Sequence, residues 1–244
     1  MRSIIRIVFV LTFCSGYCQD FPTTKEDIET GFSRSFGFEN KLLDKFTVLE
    51  KSNIIAINTF ILRDYSSLFQ AVYNIEPHKI NEISASRIIK QNKLYFKNTE
   101  STILSRTYLS EIYFQIGAYD FEKKCIRIYS TLDPDLGSQN GMFDKEYCMV
   151  KMVLLKNIFV PKRLNGEVVL EKYLKASESI VEKIINVDNE GNLGIYVKFK
   201  FTKLIKDFSE IEPQSDFKYP LSNSKAILFI NKYDNTILLE SITN

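Results

Sequence analysis

The clearest pattern in the chain is a strict alternation of residue types between positions 193 and 201. Its odd positions are hydrophobic: Leu193, Ile195, Val197, Phe199 and Phe201. Its even positions are small or polar: Gly194, Tyr196, Lys198 and Lys200. A period of two is typical of a β-strand with one face in a core and the other facing water. A slip of one residue would exchange the faces, so we expect a firm register and take this strand as the organising one.

Shorter runs predict further strands. The same alternation extends from about Tyr108 to Ile116, and Cys125–Tyr129 is a second apolar run. Tyr147–Leu155 is hydrophobic on both faces, which is typical of a central strand. Ala226–Ile230 and Thr236–Leu239 are separated by a short turn-forming segment, which predicts a β-hairpin.

Hydrophobic residues at helical spacing predict three helices. The first covers Asn53–Tyr73 and the second covers Ile80–Gln91. The third is a long helix over 165–184, which Asn165 can cap at its N-terminus. Residues 25–50 show no clear period, so no element is predicted there.

The sum of these elements is an α+β fold. We expect N-terminal helices followed by an antiparallel sheet of five or six strands, with one long helix packed on it. The length favours a single domain over 19–244, mainly helical in 19–98 and sheet-rich in 99–244. With 45% hydrophobic residues, 19 Phe and 13 Tyr, the chain has enough apolar surface for a packed core.

The first eighteen residues resemble export signals of Gram-negative bacteria. Arg2 and Arg6 precede the short apolar run Ile7–Cys14, and Gly16 and Cys18 stand at the positions that a signal peptidase reads. The apolar run is shorter than the ~20 residues that span a bilayer. We therefore expect residues 1–18 to be a signal peptide, and the mature protein to be periplasmic or secreted.

A retained or lipidated N-terminus is the alternative. Lipidation of Cys14 or Cys18 requires a small residue before the modified cysteine, whereas Phe13 and Tyr17 stand there. Cleavage after Cys18 leaves no predicted membrane span in the mature chain.

The charge balance argues against two classes of partner. The chain has 32 Lys plus Arg and 30 Asp plus Glu, and removal of residues 1–18 takes away two arginines and no acid. The expected mature chain is therefore close to neutral. Binding to nucleic acid or to an anionic membrane depends on uncompensated basic charge, so neither partner is predicted.

Cys125 and Cys148 are the cysteines of the expected mature chain. Cysteines often pair in an oxidising compartment, and both lie on predicted strands beside one loop. They are therefore a disulfide candidate. Two buried free thiols are an equal alternative, because cysteine packs as a small hydrophobic residue.

The usual catalytic groups are scarce. His78 is the single histidine, and it follows Pro77 in a predicted loop without a partner at the sequence level. The sequence has no phosphate-binding glycine loop and no Gly-x-Ser-x-Gly motif. We assign no catalytic residue, no metal ligand and no cofactor, and we expect His78 to be a solvated loop residue.

The loop Thr131–Phe143 is long, acidic and rich in turn residues, and loops on a rigid sheet often bind partners. Its polar side chains and the next acid are the binding-loop candidates: Asp133, Asp135, Asn140 and Asp144. Asp133, Asp135 and Asp144 match positions one, three and twelve of an EF-hand, but Ser138 stands at position six, where glycine is required. We interpret the loop as a solvated binding surface and not as a calcium site.

These observations predict a non-enzymatic binding or interaction domain whose partner is a protein or a small ligand of the cell envelope. Two alternatives stay open: an envelope hydrolase that uses carboxylates, and an accessory protein tethered to the membrane. The hydrolase would need a pair of acids such as Glu111 with Asp120, or Asp144 with Glu146, across a deep polar cleft. A shallow surface would favour the binding domain.

Overall fold

The structure is a computed structural model that describes residues 24–75, 79–132, 158–164, 167–207 and 218–242. Several sequence predictions lie outside the described residues: the signal segment 1–18, His78, the loop beyond residue 132 with Asp133, Asp135, Asn140 and Asp144, Glu146, the strand Tyr147–Leu155, Cys148 and Asn165.

Among the described residues, five helices precede most of the sheet and one follows later in the chain. They are α1 (Lys25–Ser35), α2 (Lys51–Leu62), α3 (Tyr65–Tyr73), α4 (Glu82–Gln91), α5 (Lys93–Ser105) and α6 (Glu178–Asn189). The predicted helix Ile80–Gln91 is confirmed as α4, whose Asn81 cap accepts a hydrogen bond from the Ser84 amide at 2.9 Å. No helix among the described residues is long and apolar enough to cross a membrane.

The described strands form two sheets. They are β1 (Lys41–Leu42), β2 (Phe46–Val48), β3 (Tyr108–Glu111), β4 (Gln115–Asp120), β5 (Cys125–Leu132), β6 (Val160–Leu164), β7 (Glu167–Lys175), β8 (Leu193–Asp207), β9 (Lys218–Asn231) and β10 (Thr236–Ile242). One sheet has the order β1-β2-β3-β8-β9-β10, and the other has the order β4-β5-β7-β6. The β2–β3 pair is parallel and the other pairs are antiparallel. The α+β class is confirmed, whereas the single antiparallel sheet is replaced by two sheets, one of them mixed.

The predicted organising strand is β8, which lies between β3 and β9 in the six-stranded sheet. Ile195, Val197, Phe199 and Phe201 are buried in the main core, as the alternation predicts. The opposite face was expected to meet water, and this is wrong for part of the strand. Tyr196 is 7% exposed, in a second small cluster that side chains of the β1–β2 segment cover. Sequence periodicity gives the two faces of a strand but not what lies above each of them.

The predicted helix Asn53–Tyr73 is two helices. The chain breaks at Arg63, which has a left-handed backbone with φ of 61°, and restarts at Asp64, whose side chain caps the Ser67 amide at 3.1 Å. Helical spacing of hydrophobic residues on both sides hides this break in the sequence, because α2 and α3 both pack on the same core.

The predicted long helix over 165–184 is also wrong in its first half. Glu167–Lys175 is strand β7, and helix α6 begins only at Glu178 after Ser177. β7 pairs with β5 over eight positions, from Cys125↔Lys175 to Leu132↔Val168. In a helix Glu171 and Lys175 would be four residues apart, and such a charge pair is worth only ~0.2–0.5 kcal/mol. Strand pairing satisfies the backbone hydrogen bonds along the whole segment.

The alternating run from Tyr108 to Ile116 divides between the two sheets. β3 ends at Glu111, and β4 begins at Gln115 in the other sheet. Between them Phe114 stacks on Phe159 with ring centroids 4.4 Å apart. One hydrophobic cluster nevertheless includes residues of both sheets and of the helices.

Gly31→Ala is expected to destabilise the protein by ~1 kcal/mol or more. A Cβ at Gly31 would lie 2.7 Å from Cε1 of Tyr73, and the Tyr73 hydroxyl donates to the Asp27 and Ile28 carbonyls at 3.2 and 3.3 Å. Alanine in a helix interior ordinarily stabilises a protein by about 1 kcal/mol relative to glycine. A loss of stability at Gly31 would therefore indicate the contact with Tyr73. Urea unfolding measures it, and a Tyr73→Leu background is the control. There Gly31→Ala should become stabilising, and a gain in the native background would contradict the prediction.

Candidate groove between helix α2, helix α5 and strand β8

A groove of about 330 Å³ opens where α2 ends, beside α5 and the distal part of β8. Its apolar lining consists of Ile61, Leu62, Leu104 and Ile205. Its charged lining consists of Arg63, Glu100 and Lys203. This volume lies at the lower end of the ~300–1,000 Å³ that small-molecule sites occupy.

The end of α2 brings Arg63 to the groove through a Schellman turn. The Arg63 amide donates to the Phe60 carbonyl at 3.1 Å, and the Asp64 amide donates to the Thr59 carbonyl at 3.0 Å. Such a turn needs a left-handed residue, and glycine usually supplies it at no steric cost. Here an arginine takes that conformation, which costs roughly 1–2 kcal/mol.

An irregularity in β8 forms the opposite wall. The pairing of β8 with β9 shifts register between Phe201 and Ile205, and the Leu204 amide bonds to the Thr202 hydroxyl at 3.3 Å. Bulges of this kind redirect side chains out of the regular pleat. Leu204 and Ile205 are consequently 65% and 46% exposed, although both are hydrophobic.

The groove carries more positive than negative charge. Lys203 forms an ion pair with Glu100 at 3.3 Å, with its side chain 68% exposed, so this pair contributes at most ~1 kcal/mol. Arg63 is exposed and has no hydrogen bond or ion pair from its side chain to any described residue. One guanidinium is therefore left over, and the groove has a formal charge of +1.

Tyr65, two residues beyond Arg63, responds to the same charges. Burial raises the pKa of the Tyr65 phenol above its ordinary value, the Arg63 charge opposes this, and the Glu100 carboxylate adds to it. The Glu82 carboxylate also raises this pKa, so the phenol stays protonated at neutral pH.

The described lining residues combine aliphatic side chains with three charged ones. They include no serine, threonine, cysteine or histidine, which are the common nucleophiles and bases. Comparison of the chain with known protein families, with curated proteins and with solved structures finds no match. The interpretation of the groove therefore depends on its own geometry.

Glu111 and Asp120, the acidic pair considered for a hydrolase, end strands of different sheets. Glu111 ends β3 in the six-stranded sheet and contacts the ammonium of Lys232. Asp120 ends β4 in the other sheet and accepts the Lys123 amide at 2.9 Å. That backbone hydrogen bond holds the pKa of Asp120 below its ordinary value.

Cys125 is buried at the start of β5, and the structure shows no disulfide bond at its sulfur. Its predicted partner Cys148 lies outside the described residues, so the disulfide stays a prediction. The predicted loop also begins later than the sequence indicated. Thr131 and Leu132 still pair with β7, because the opposing Val169 and Val168 extend the ladder that far.

A second group of polar side chains lies on the four-stranded sheet. Arg127 donates to Oε2 of Glu171 from Nε at 3.1 Å and from a terminal nitrogen at 2.9 Å, and Glu171 is 8% exposed. The guanidinium also lies 4.8 Å from the ring centroid of Tyr129. Because both charges are neutralised by each other across β5 and β7, this pair acts as a cross-link between strands. No group of three or more His, Cys, Asp or Glu that could hold a metal is found in the described part of the chain.

Sequence reasoning missed the groove entirely. Its residues come from three distant segments, 61–63, 100–104 and 203–205. The one local signal is the dipeptide Arg63-Asp64, since an aspartate inside an apolar helical pattern is a helix-start signal. That signal places a break in the helix but does not indicate a ligand.

Proposed function

We propose that this protein is an exported, non-enzymatic binding protein of the periplasm or the extracellular medium, and that the groove at Arg63 holds its small ligand. The N-terminal segment supports export, as argued from Arg2, Arg6 and the apolar run that follows. One observation carries the binding role. A strained arginine and a strand irregularity both direct side chains into the same groove.

The left-handed backbone of Arg63 and the irregular pairing of β8 are two independent departures from regular structure, and both occur at the groove. Left-handed non-glycine residues and β-bulges are enriched at functional sites, where the surrounding structure offsets their cost. Arg63 is held by the packing of α2 and α3, and the irregular part of β8 lies across from it.

The groove rather than the acidic loop is the proposed site. The predicted loop Thr131–Phe143 continues outside the described residues, and its role in binding a protein partner remains a separate proposal. The groove is lined by aliphatic side chains, two cations and one carboxylate.

Leu104→Trp tests the proposed function, because a larger side chain at this position fills the groove. The exported protein is purified without denaturation, its small molecules are extracted, and mass spectrometry identifies them. We expect the native protein to carry a bound compound that Leu104→Trp lacks. Addition of the extracted compound should also raise the melting temperature of the native protein but not of the variant.

Leu94→Trp is the matched control. Leu94 lies on the same helix α5, is 73% exposed and does not line the groove. This variant should keep the compound and the thermal shift. The proposal would be refuted if the native protein, Leu94→Trp and Leu104→Trp carried the same bound compound, or if none of the three carried one.

A further inference from the structure

The charged residues that line the groove indicate the chemical class of its ligand. Lys203 is already paired with Glu100 at 3.3 Å, whereas the guanidinium of Arg63 has no side-chain partner among the described residues. A guanidinium presents a planar fork of donors that matches a carboxylate or a phosphate through two parallel hydrogen bonds. The groove therefore has one open position for an anion.

The net charge of the groove distinguishes between a carboxylate and a phosphate as its ligand. Arg63 and Lys203 supply two positive charges and Glu100 removes one, which leaves a single positive charge. A phosphate monoester carries −1.5 to −2 at neutral pH, so it would remain partly uncompensated beside Glu100. A carboxylate carries a single negative charge and matches the groove.

The rest of the lining selects an apolar body. Ile61, Leu62, Leu104 and Ile205 provide only aliphatic surface, and Ile205 is 46% exposed. Burial of such surface against hydrocarbon is favourable by roughly 25 cal/mol per Å². The volume of about 330 Å³ suits a short chain and is small for a complete membrane lipid.

We infer that the groove binds a medium-chain carboxylic acid, with the carboxylate on the Arg63 guanidinium and the hydrocarbon chain along Leu104 and Ile205. This inference deepens the proposed function and depends on it, since it names the ligand class of the same groove. The Schellman turn at Arg63 then has a reason, because glycine would complete the turn with less strain but would supply no guanidinium.

The test is calorimetric titration of the full-length exported protein with decanoate below its micelle concentration. Decanol, decylamine and decyl phosphate are titrated in parallel. We expect decanoate to bind at least ~10-fold more tightly than decanol and decylamine, because a hydrogen bond to a charged group is worth about that factor or more. It should also bind more tightly than decyl phosphate, whose additional negative charge would stay uncompensated beside Glu100.

Arg63→Gly separates recognition from folding. Glycine is favoured in the left-handed conformation, so this variant should have a higher urea midpoint than the native protein. It should nevertheless lose at least ~10-fold in decanoate affinity and leave decanol binding unchanged. A residue with a merely structural role would not give higher stability together with weaker, charge-specific binding.

Lys183→Gln is the matched control, because Lys183 is an exposed cation of α6 that does not line the groove. Its decanoate affinity should equal that of the native protein. Equal loss in Lys183→Gln and Arg63→Gly would reduce the effect to general surface charge and overturn the inference.

Failure of the ligand class and failure of the proposed function give different results. If decanoate does not bind but Leu104→Trp still removes the native compound, the carboxylate assignment is wrong and the groove remains the site. If decyl phosphate binds more tightly than decanoate, the ligand class is likewise overturned. If Leu104→Trp changes nothing, both proposals are refuted.

Discussion

Replacement of Phe32 by alanine is expected to lower the free energy of unfolding by about 3–5 kcal/mol. Phe32 is fully buried in α1, with four aromatic neighbours at centroid distances of 5.1 to 5.9 Å: Phe36, Phe69, Tyr73 and Phe96. Three of these contacts are edge-on, which is a preferred geometry for aromatic rings. Alanine removes the ring from all four contacts and leaves a cavity between α1, α3 and α5.

Urea unfolding followed by circular dichroism measures the Phe32→Ala effect. The midpoint should fall while the dependence on urea stays unchanged. Phe32→Leu should lower the free energy of unfolding clearly less than Phe32→Ala, because leucine retains most of the buried volume. Phe121→Ala is the exposed control, since Phe121 is 68% exposed in the turn after β4, and its loss should stay under about 1 kcal/mol. Equal losses for Phe32→Ala and Phe121→Ala would mean that the aromatic cluster is absent from the native protein.

Asn53→Ala is expected to cost roughly 1–3 kcal/mol, because it leaves buried backbone groups without partners. Asn53 is 5% exposed near the start of α2. Its side chain accepts the Glu50 amide at 3.0 Å and donates to the Ser35 carbonyl at 2.9 Å. It thereby ties the end of α1 to the start of α2. Asn186→Ala is the control, as Asn186 is an exposed helical asparagine on α6.

Asn53→Asp should make the free energy of unfolding depend on pH, and the sign of this dependence follows from the surroundings of residue 53. The carboxylate can still accept the Glu50 amide, but it would face the Ser35 and Arg34 carbonyls in place of the amide donor. Burial and these carbonyls raise the folded-state pKa of the new acid above its unfolded value of about 3.9. The folded state then binds the proton more tightly, so the loss relative to native protein should be largest at neutral pH and shrink as pH falls. A loss that is constant from pH 7 to pH 4 would contradict this account of the site.

Local patterns determined the elements that depend on near neighbours in the chain. The hairpin of β9 and β10 was predicted from a turn, where Asp234 accepts the Thr236 amide at 3.0 Å. The buried face of β8 was predicted from alternation alone. Each of these strands must bury one face in a core, whichever element packs on that face. The hydrophobic pattern therefore predicts the strand even when its packing partner is unknown.

Non-local pairing decided the elements that the sequence placed wrongly. Glu167–Lys175 has helical spacing, but β5 offers it eight paired positions and an arginine for Glu171. Helix α1 was not predicted, because Phe32 and Phe36 acquire their burial from α2, α3 and α5 rather than from their own segment. Propensity over a short window is weak compared with such packing.

The sequence by itself determined the α+β class, the buried face of β8 and the hairpin, since these follow from periods of two and 3.6 residues and from turn chemistry. It also supplied the prediction of export from the N-terminal segment. The register of β8 with β9 was decided by the tertiary structure, because it shifts after Lys198 and again after Phe201. Only the tertiary structure decided the division into two sheets and the existence of the groove. Arg63, Glu100 and Lys203 are between 37 and 140 positions apart in the chain, and no local pattern links residues so distant. Packing of α5 beside the end of α2 and the irregular part of β8 brings them together, because burial of apolar surface is indifferent to separation along the chain.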